Sequence, residues 1–296
     1  MFSTFNGRLV ALLLVTGAAA ACSRAPEKVI PVATPAVMLS KPVAAIGSPI
    51  EMRYRFAVAS DAPALIEDYL VFVHFLDGDG ALMWTDDHEP ATPTRQWKPG
   101  STIEYARTMF IPKFPYVGET TVEVGIYSPT SGDRLPLAGP TEGQRSYRVA
   151  TFDMRLESDP LVVVFNNGWY ETEVAAEGAG REWQWSRKDA TLSFRNPKKA
   201  VRLYLQTDQP VSEAFTEPQQ VETRIGQTVV DRFMLPPGGS ELRRVDIAAE
   251  QLGATDTIEM TISVDKTFVP AAIPTLKSTD PRELGIRVYR AFVEPL

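Results

Sequence analysis

Hydrophobic and polar residues alternate with a period of two along much of the chain. Between residues 50 and 58 the even positions are apolar and most odd positions are charged, which predicts a half-buried β-strand. Residues 69–76 are apolar except for His74, which predicts a central strand covered on both faces. We therefore expect His74 to be a hydrogen-bonded core residue rather than a ligand or a base.

Turn-forming residues separate these apolar runs. Aspartate and glycine fill residues 77–80, and Lys-Pro-Gly occupies residues 98–100; both sequences are typical of tight turns. Further strands are predicted at residues 81–84, 102–110, 120–127 and 146–154. About seven short strands at this spacing predict an immunoglobulin-like β-sandwich over residues 37–151.

The remainder of the chain, residues 159–296, is also rich in short strands. They are predicted at residues 161–165, 182–185, 191–194, 201–205, 221–225, 228–234, 242–247, 258–264 and 286–292, with one helical turn at 248–252. Such strands with frequent turns predict a sandwich or jelly roll. The strand order around the turn at Gly226 resembles that of galactose-binding-like jelly rolls, a fold that many carbohydrate-binding modules use. The predicted fold class is therefore all-β, with two successive sandwiches.

The amino-terminal segment has the order of a secretory signal peptide. It carries one positive charge at Arg8, an apolar stretch over residues 9–15 and small residues up to position 21. That apolar stretch is shorter than the roughly 20 residues needed to span a bilayer. Cys22 follows directly and is the only cysteine. Residues 19–22 resemble the lipobox of bacterial lipoproteins, with alanine at position 19 where that family prefers leucine. The resemblance implies cleavage before Cys22 and lipid attachment to its sulfur and new amino group.

The residues that follow Cys22 predict where the folded part lies. In lipoproteins of Gram-negative bacteria a serine such as Ser23 usually implies the outer membrane, so we expect a cell-envelope protein that faces the periplasm or the surface. Three prolines make residues 22–36 a predicted extended tether. The alternatives are an ordinary secreted protein with an incidental thiol and, in place of part of the tether, an edge strand near residues 29–32.

Composition excludes several classes of function. Removing the signal peptide lowers the net charge from −7 to −8, because Arg8 is lost, and this balance argues against nucleic acid as a partner. A single cysteine leaves no intramolecular disulfide to stabilise the fold. Two histidines are too few for a three-histidine zinc site. The sequence predicts no cofactor and no metal.

Two groups of aromatic and polar residues are candidate ligand sites. In the first domain, a dense cluster at residues 84–89 is followed by another tryptophan, so its carboxylates could coordinate a metal or bind sugar hydroxyls beside flat indole faces. The alternative is a loop whose carboxylates cap turns. The candidates of the first domain are Trp84, Asp86, Asp87, His88 and Trp97.

In the second domain, aromatic residues lie beside amides and carboxylates, the combination that a sugar site uses. The alternative is that these rings fill the sandwich core. Arg282 could grip an acidic sugar with its planar fork or form an ion pair that pins its loop. The candidates of this domain are Trp169, Tyr170, Trp183, Trp185 and Arg282.

Three functions remain open at this point. The first is a tethered, non-catalytic module that binds envelope or extracellular polysaccharide. The second is a scaffold or assembly lipoprotein that binds another envelope protein through an exposed sheet edge. The third is a glycan hydrolase built on two carboxylates. Residues 73–77, 86–88, 97–100 and 280–285 resemble segments of uncharacterised bacterial envelope proteins, which implies a setting of surface polysaccharide.

Overall fold

The computed structural model describes residues 30–141, 143–156, 161–175 and 181–296. The predicted signal peptide and Cys22 lie outside these residues. The chain divides between Arg155 and Leu156 into two compact units. Within the described residues, none of the helices has the length and apolar character needed to cross a membrane.

The first unit contains two β-sheets in which most strand pairs are antiparallel. Its strands are β1 (Ala33–Leu39), β2 (Val43–Ala45), β3 (Pro49–Val58), β4 (Leu70–Leu76), β5 (Leu82–Thr85), β6 (Thr102–Phe110), β7 (Gly118–Tyr127) and β8 (Tyr147–Arg155). One sheet has the order β1-β3-β6 and the other the order β2-β8-β7-β4-β5. The short β2 pairs with the last strand, β8, in parallel. The predicted immunoglobulin-like sandwich is confirmed.

The core of this unit lies between the two sheets. On β3 the alternation read from the sequence is realised, since Ile50, Met52, Tyr54 and Phe56 are buried. These side chains share one hydrophobic cluster with apolar residues of β4 and β7. Because strand side chains alternate between faces, the arginines at odd positions of β3 point outward.

The first strand begins earlier than the sequence predicted. β1 starts at Ala33, pairs with β3 from Ala33 opposite Val58, and buries Val32 and Ala33. The described part of the predicted tether is therefore partly strand, and residues 33–36 belong to the sandwich. Pro35 is compatible with this because β1 lies at the edge of its sheet, where a missing N–H need not break a ladder.

The second unit consists of two five-stranded antiparallel sheets. Its strands are β9 (Val164–Phe165), β10 (Glu173–Val174), β11 (Glu182–Trp185), β12 (Asp189–Arg195), β13 (Val201–Asp208), β14 (Gln219–Ile225), β15 (Thr228–Leu235), β16 (Ser240–Ile247), β17 (Thr257–Val264) and β18 (Arg287–Pro295). The helical turn α1 is Ala249–Leu252. The sheet orders are β10-β11-β18-β13-β16 and β15-β14-β17-β12-β9, a jelly-roll-like sandwich as predicted.

Apolar side chains from both sheets of the second unit form its core. Leu203 and Leu205 of β13 are buried in clusters that also contain side chains of β12, β14 and β17. Residues 161–165, predicted as one strand, pair only over β9, although Leu161 is buried. Because inward side chains of the strands fill this core, the outward side chains of β11, β13 and β18 are the ones available for a ligand site.

Gly125 on β7 tests the packing of the first unit. A Cβ atom there would lie 2.2 Å from Cε1 of Phe72 and 2.8 Å from the carbonyl oxygen of Arg145. Phe72 is itself buried and cannot move aside freely. We expect Gly125→Ala to lower the free energy of unfolding by about 3 kcal/mol, the upper end for overpacked sites, in a urea titration.

Gly132→Ala is the matched control for this substitution. Gly132 has open space around it and a φ of +78°, so only the left-handed backbone should cost stability, about 1 kcal/mol. Equal losses for the two variants would contradict the packing described for Gly125.

Candidate functional site

The predicted polar cluster of the first unit joins the two sheets at one edge of the sandwich. Asp86 follows β5 and forms an ion pair with Arg107 of β6, with Oδ1 and Nη2 3.2 Å apart. The Nε2 atom of His88 lies 2.9 Å from the hydroxyl of Tyr105, also on β6. Since β5 and β6 belong to different sheets, these contacts tie the sheets together.

His88 is a core residue with a defined tautomer. Its side chain is 7% exposed, and its Nδ1 lies 2.8 Å from the backbone oxygen of Asp86. A carbonyl only accepts, so Nδ1 carries the proton and Nε2 accepts from the Tyr105 hydroxyl. The Tyr105 ring stacks on Tyr54 with centroids 5.0 Å apart. Burial lowers the pKa of His88, against the effect of the Asp86 carbonyl, and raises the pKa of Tyr105.

The tryptophans of this cluster pack inside the first unit. Trp97 is 6% exposed, donates its indole N–H to the backbone oxygen of Thr92 at 2.9 Å, and packs on Phe56. Trp84 is half-buried and stacks on Phe75, with centroids 4.7 Å apart and planes at 12°. Trp97 is therefore a packing residue of the core, and Trp84 presents one face to the core rather than to solvent.

The carboxylates of the cluster serve the fold as well. Asp87, although exposed, accepts the backbone N–H of Val73 at 3.3 Å. Among residues 30–141, 143–156, 161–175 and 181–296, no three His, Cys, Asp or Glu side chains are placed to hold a metal ion. The dense polar sequence at residues 84–89 thus closes the open edge of a sandwich, which is the turn-and-loop alternative.

Two of the four predicted aromatic residues in the second unit are also packing residues. Trp185 is 6% exposed and shares a small cluster with Phe268 and Leu284, which is the packing role that was the alternative to ligand binding. Trp169 is half-buried, contacts Phe165 edge-on, and donates its indole N–H to the backbone oxygen of Thr191 at 2.8 Å. Thr191 belongs to β12, so Trp169 is tied to that strand.

Tyr170 and Trp183 lie in one continuous group of half-buried rings, guanidinium groups and carboxylates on the outward face of β11 and β18. The register pairs Trp185 with Arg287 and Gln184 with Val288. Because side chains alternate, Trp183, Arg287 and Tyr289 therefore share the face of Trp185. We call this group the aromatic strip; its members are Tyr170, Glu173, Trp183, Asp208, Arg282, Arg287 and Tyr289.

Arg287 forms the centre of the aromatic strip. Its guanidinium carbon lies 4.9 Å from the ring centre of Trp183 and 5.3 Å from that of Tyr289, within the range of cation–π attraction. Nε and Nη2 donate to the two carboxylate oxygens of Asp208 at 2.8 and 2.6 Å. Burial by itself would lower the pKa of Arg287, but the hydrogen bond and the charge of Asp208, together with the contacts to Tyr289, outweigh burial, and the pKa is raised.

A β-bulge aims the last ring of the strip. The pairing of β13 with β18 shifts between Gln206 and Thr207, which leaves Tyr289 as the extra residue. Its hydroxyl donates to Oδ2 of Asp208 at 2.7 Å, so one carboxylate holds both Arg287 and Tyr289. Bulges commonly re-aim a side chain in this way.

Arg282 is committed to carboxylates of the protein. It donates to both oxygens of Asp280, and its Nη1 lies 2.8 Å from Oε1 of Glu173. The hydrogen bond from Arg282 lowers the pKa of Asp280 and the same contact raises that of Arg282. Glu173 in turn accepts the indole N–H of Trp183 at 3.1 Å. Arg282 therefore pins its loop, the second of its predicted roles.

Buried amides fix the loop that carries Arg282. Gln209 and Gln219 are fully buried; the first donates to the backbone oxygen of Gly285 at 2.9 Å and the second to that of Lys266 at 2.6 Å. A Cβ atom on Gly285 would lie 2.4 Å from Oγ of Ser186. This close approach holds the residues around Arg282 against β11.

Tyr170 lies at the end of the strip beside this loop. Its hydroxyl donates to the backbone oxygen of Glu283 at 3.1 Å. The guanidinium carbons of Arg187 and Arg282 lie 4.4 and 5.1 Å from its ring centre. Half-buried aromatic surface and charged hydrogen-bonding groups thus alternate along the strip.

Sequence reasoning missed most polar members of the strip. The signal that could have found Arg287 and Tyr289 is the alternation on the last strand, where an arginine and a tyrosine occupy outward positions around the buried Val288. Asp208 and Glu173 carry no such signal, because their relation to Trp183 is purely spatial.

Comparison with known proteins finds only distant structural likenesses. No protein-family model and no curated protein matches the chain. Similar solved structures include the glucuronidase BtGH115A of family GH115 (11% identity, 52% of this chain, 20% of that chain, TM-score 0.34). The tandem CBM22 modules of Xyn10C from Paenibacillus barcinonensis are also similar (11%, 85%, 79%, 0.28), as is the DNA glycosylase AlkC of Pseudomonas fluorescens (17%, 42%, 31%, 0.28).

These likenesses are distant. The chain spans less than a third of the glucuronidase and of the glycosylase. At 17% identity or less and TM-scores of 0.34 or less, they carry no argument about function.

The structural role of His88 predicts a pH dependence of stability. Its pKa in the folded protein is below the usual value near 6.5, so the unfolded chain takes up the proton first as the pH falls. The free energy of unfolding should therefore fall below about pH 6.5, with His88 contributing up to about 1.4 kcal/mol per pH unit. Urea titrations between pH 5 and 7 measure this slope.

His88→Gln should reduce that slope. His74→Gln is the matched control, since it removes the contribution of His74, whose pKa burial also lowers, and keeps that of His88. An unchanged slope in His88→Gln would contradict the buried neutral imidazole.

Proposed function

We propose that the chain is a non-catalytic glycan-binding protein of the bacterial cell envelope, and that the aromatic strip of the second unit is its binding surface. The observation that carries the proposal is the clustering of three half-buried rings, those of Tyr170, Trp183 and Tyr289, with hydrogen-bonding groups on one face of a sheet. The all-β architecture of both units is compatible with it, but fold alone does not give function.

The chemistry of the strip matches that of a sugar. A pyranose ring presents C–H groups that pack on aromatic surface and hydroxyls that need oriented partners. In the strip, Trp183 and Tyr289 provide aromatic surface, while Glu173 and Asp208 provide carboxylate oxygens beside them. The rings are held by the protein, so little ordering is needed on binding.

The carboxylates of the strip serve to hold its rings and arginines. Glu173 accepts the indole N–H of Trp183 and forms an ion pair with Arg282. Asp208 accepts hydrogen bonds from Arg287 and Tyr289. Because these carboxylates are engaged in holding the site, we propose recognition without cleavage.

Envelope anchoring is part of the proposal and rests on the amino-terminal sequence. The charged, apolar and small-residue order ends at Cys22, as the lipoprotein resemblance requires. Two or more acyl chains on one residue give stable anchoring, which a single chain does not. The protein would then present its sandwiches from the membrane, with the outer membrane as the proposed location.

Removal of the central ring should weaken glycan binding. We expect Trp183→Ala to raise the dissociation constant for a bound polysaccharide about tenfold, equivalent to about 1.4 kcal/mol, because it deletes the largest ring and frees Glu173. Isothermal calorimetry against neutral and acidic polysaccharides measures this. Absence of binding to any of them would overturn the proposal and favour the protein-scaffold alternative.

Trp97 supplies the matched control in the first unit. Trp97→Ala should cost about 3–5 kcal/mol of stability, as for other buried tryptophans, and Trp97→Phe less. Both variants should bind glycan with unchanged affinity at temperatures where they are folded. A binding loss in folded Trp97→Phe would move the site to the first unit.

Acyl labelling tests the anchoring. In cells of a Gram-negative host fed a labelled fatty acid, the wild-type protein should incorporate label and Cys22→Ala should not. An unlabelled wild-type protein would show that the cysteine is incidental.

A further inference from the structure

We infer that the glycan bound by the aromatic strip is anionic, with carboxylate or sulfate groups along the chain. This inference rests on the proposed function and names the class of ligand. It comes from two arginines that flank the strip, Arg187 beside Tyr170 and Arg181 beside Tyr289, with guanidinium carbons 4.4 and 5.9 Å from the ring centres. Both side chains are exposed.

The two inner arginines are neutralised within the protein. Arg287 is paired with Asp208 through two hydrogen bonds. Arg282 is paired with Asp280 and Glu173. The hydrogen bonds and charge of these guanidinium groups are thus already satisfied by carboxylates of the protein.

The two flanking arginines differ in this respect. Within the part of the chain that the structure describes, neither Arg187 nor Arg181 has a carboxylate within ion-pairing distance or a hydrogen-bond acceptor for its guanidinium group. Their charges therefore face solvent at both ends of the strip. Glu182, next to Arg181, lies on the opposite face of β11 from Trp183 because side chains alternate.

The neighbouring rings help to position these guanidinium groups for an oxyanion. Each guanidinium lies within cation–π range of its ring, and its planar fork of N–H donors matches carboxylate geometry. Less side-chain entropy is then lost when a ligand is bound. The two guanidinium groups are separated by rings on which sugars can pack. This arrangement suits a polysaccharide that carries charged groups at intervals along its length.

The net charge of the protein restricts how it could attract an acidic glycan. At −7 overall, the molecule repels polyanions in general, so attraction of an acidic glycan must come from a local arrangement. The flanking arginines are that arrangement, and their effect should be screened by salt.

The test compares three oligosaccharides of equal length with the full protein. One is an oligogalacturonate, one a sulfated oligosaccharide, and one a neutral oligoglucan. Calorimetry should give at least tenfold tighter binding of one of the anionic ligands than of the neutral one. The anionic ligand that binds tighter identifies carboxylate or sulfate as the natural group.

Variants assign the effect to the flanking arginines. Arg187→Gln and Arg181→Gln should each weaken anionic binding about five- to tenfold, weaken neutral binding much less, and reduce the dependence of affinity on NaCl. Arg55→Gln is the matched control, because Arg55 is an exposed arginine on β3 of the first unit, and it should change nothing.

The outcomes separate the inference from the proposed function. If the neutral and anionic ligands bind equally well and Trp183→Ala still weakens both, the proposed function stands and the inference is overturned. If anionic binding is insensitive to both arginine substitutions, the inference is also overturned. If none of the three ligands binds, both fall.

Discussion

The pairing of Arg287 with Asp208 is the interaction on which the outward face of the second unit depends. One guanidinium contacts the rings of Trp183, Trp185 and Tyr289 while two hydrogen bonds hold it to Asp208. Both side chains are more than four-fifths buried. Removing one member of such a pair leaves an uncompensated charge and costs a few kcal/mol. The rings keep their places because this charge is satisfied.

The need of buried polar groups for partners also explains the polar cluster of the first unit. The residues that look most like a site in the sequence, Asp86 and His88, lie where two sheets must be joined at an edge. Their partners, Arg107 and Tyr105, come from the neighbouring sheet. Buried polar groups need hydrogen-bond partners, and a cluster of polar residues in sequence can supply such partners between two sheets without binding a ligand.

The sequence predicts much of the architecture because alternation and turns are local signals. The alternation over residues 50–58 identifies β3, and the turn at residues 77–80 separates β4 from β5. The sequence prediction places the start of the first sandwich too late, because the three prolines favour a tether more strongly than the apolar residues before β1 favour a strand. Pro35 is tolerated only because β1 becomes an edge strand, which depends on the other strands of the sheet.

The candidate site is less predictable than the fold. Trp183 and Trp185 lie on the same face of β11, as their spacing requires, yet one is half-buried and the other is covered by Phe268 and Leu284. The covering loop comes from a distant part of the chain, so the sequence around Trp185 does not predict that this ring is covered. Tyr170 and Trp183 were found from their residue type, whereas Glu173 and Asp208 belong to the site through strand pairing alone.

The most direct test of the central claim is the response of the indole N–H signals to a bound oligosaccharide in two-dimensional NMR spectra. The protein has five tryptophans, and single Trp→Phe variants assign their signals. The Trp183 signal should shift on titration, because its indole N–H bonds Glu173 within the strip, while the Trp84 and Trp97 signals of the first unit should stay in place. A shift of Trp84 or Trp97 with an unmoved Trp183 signal would contradict the account.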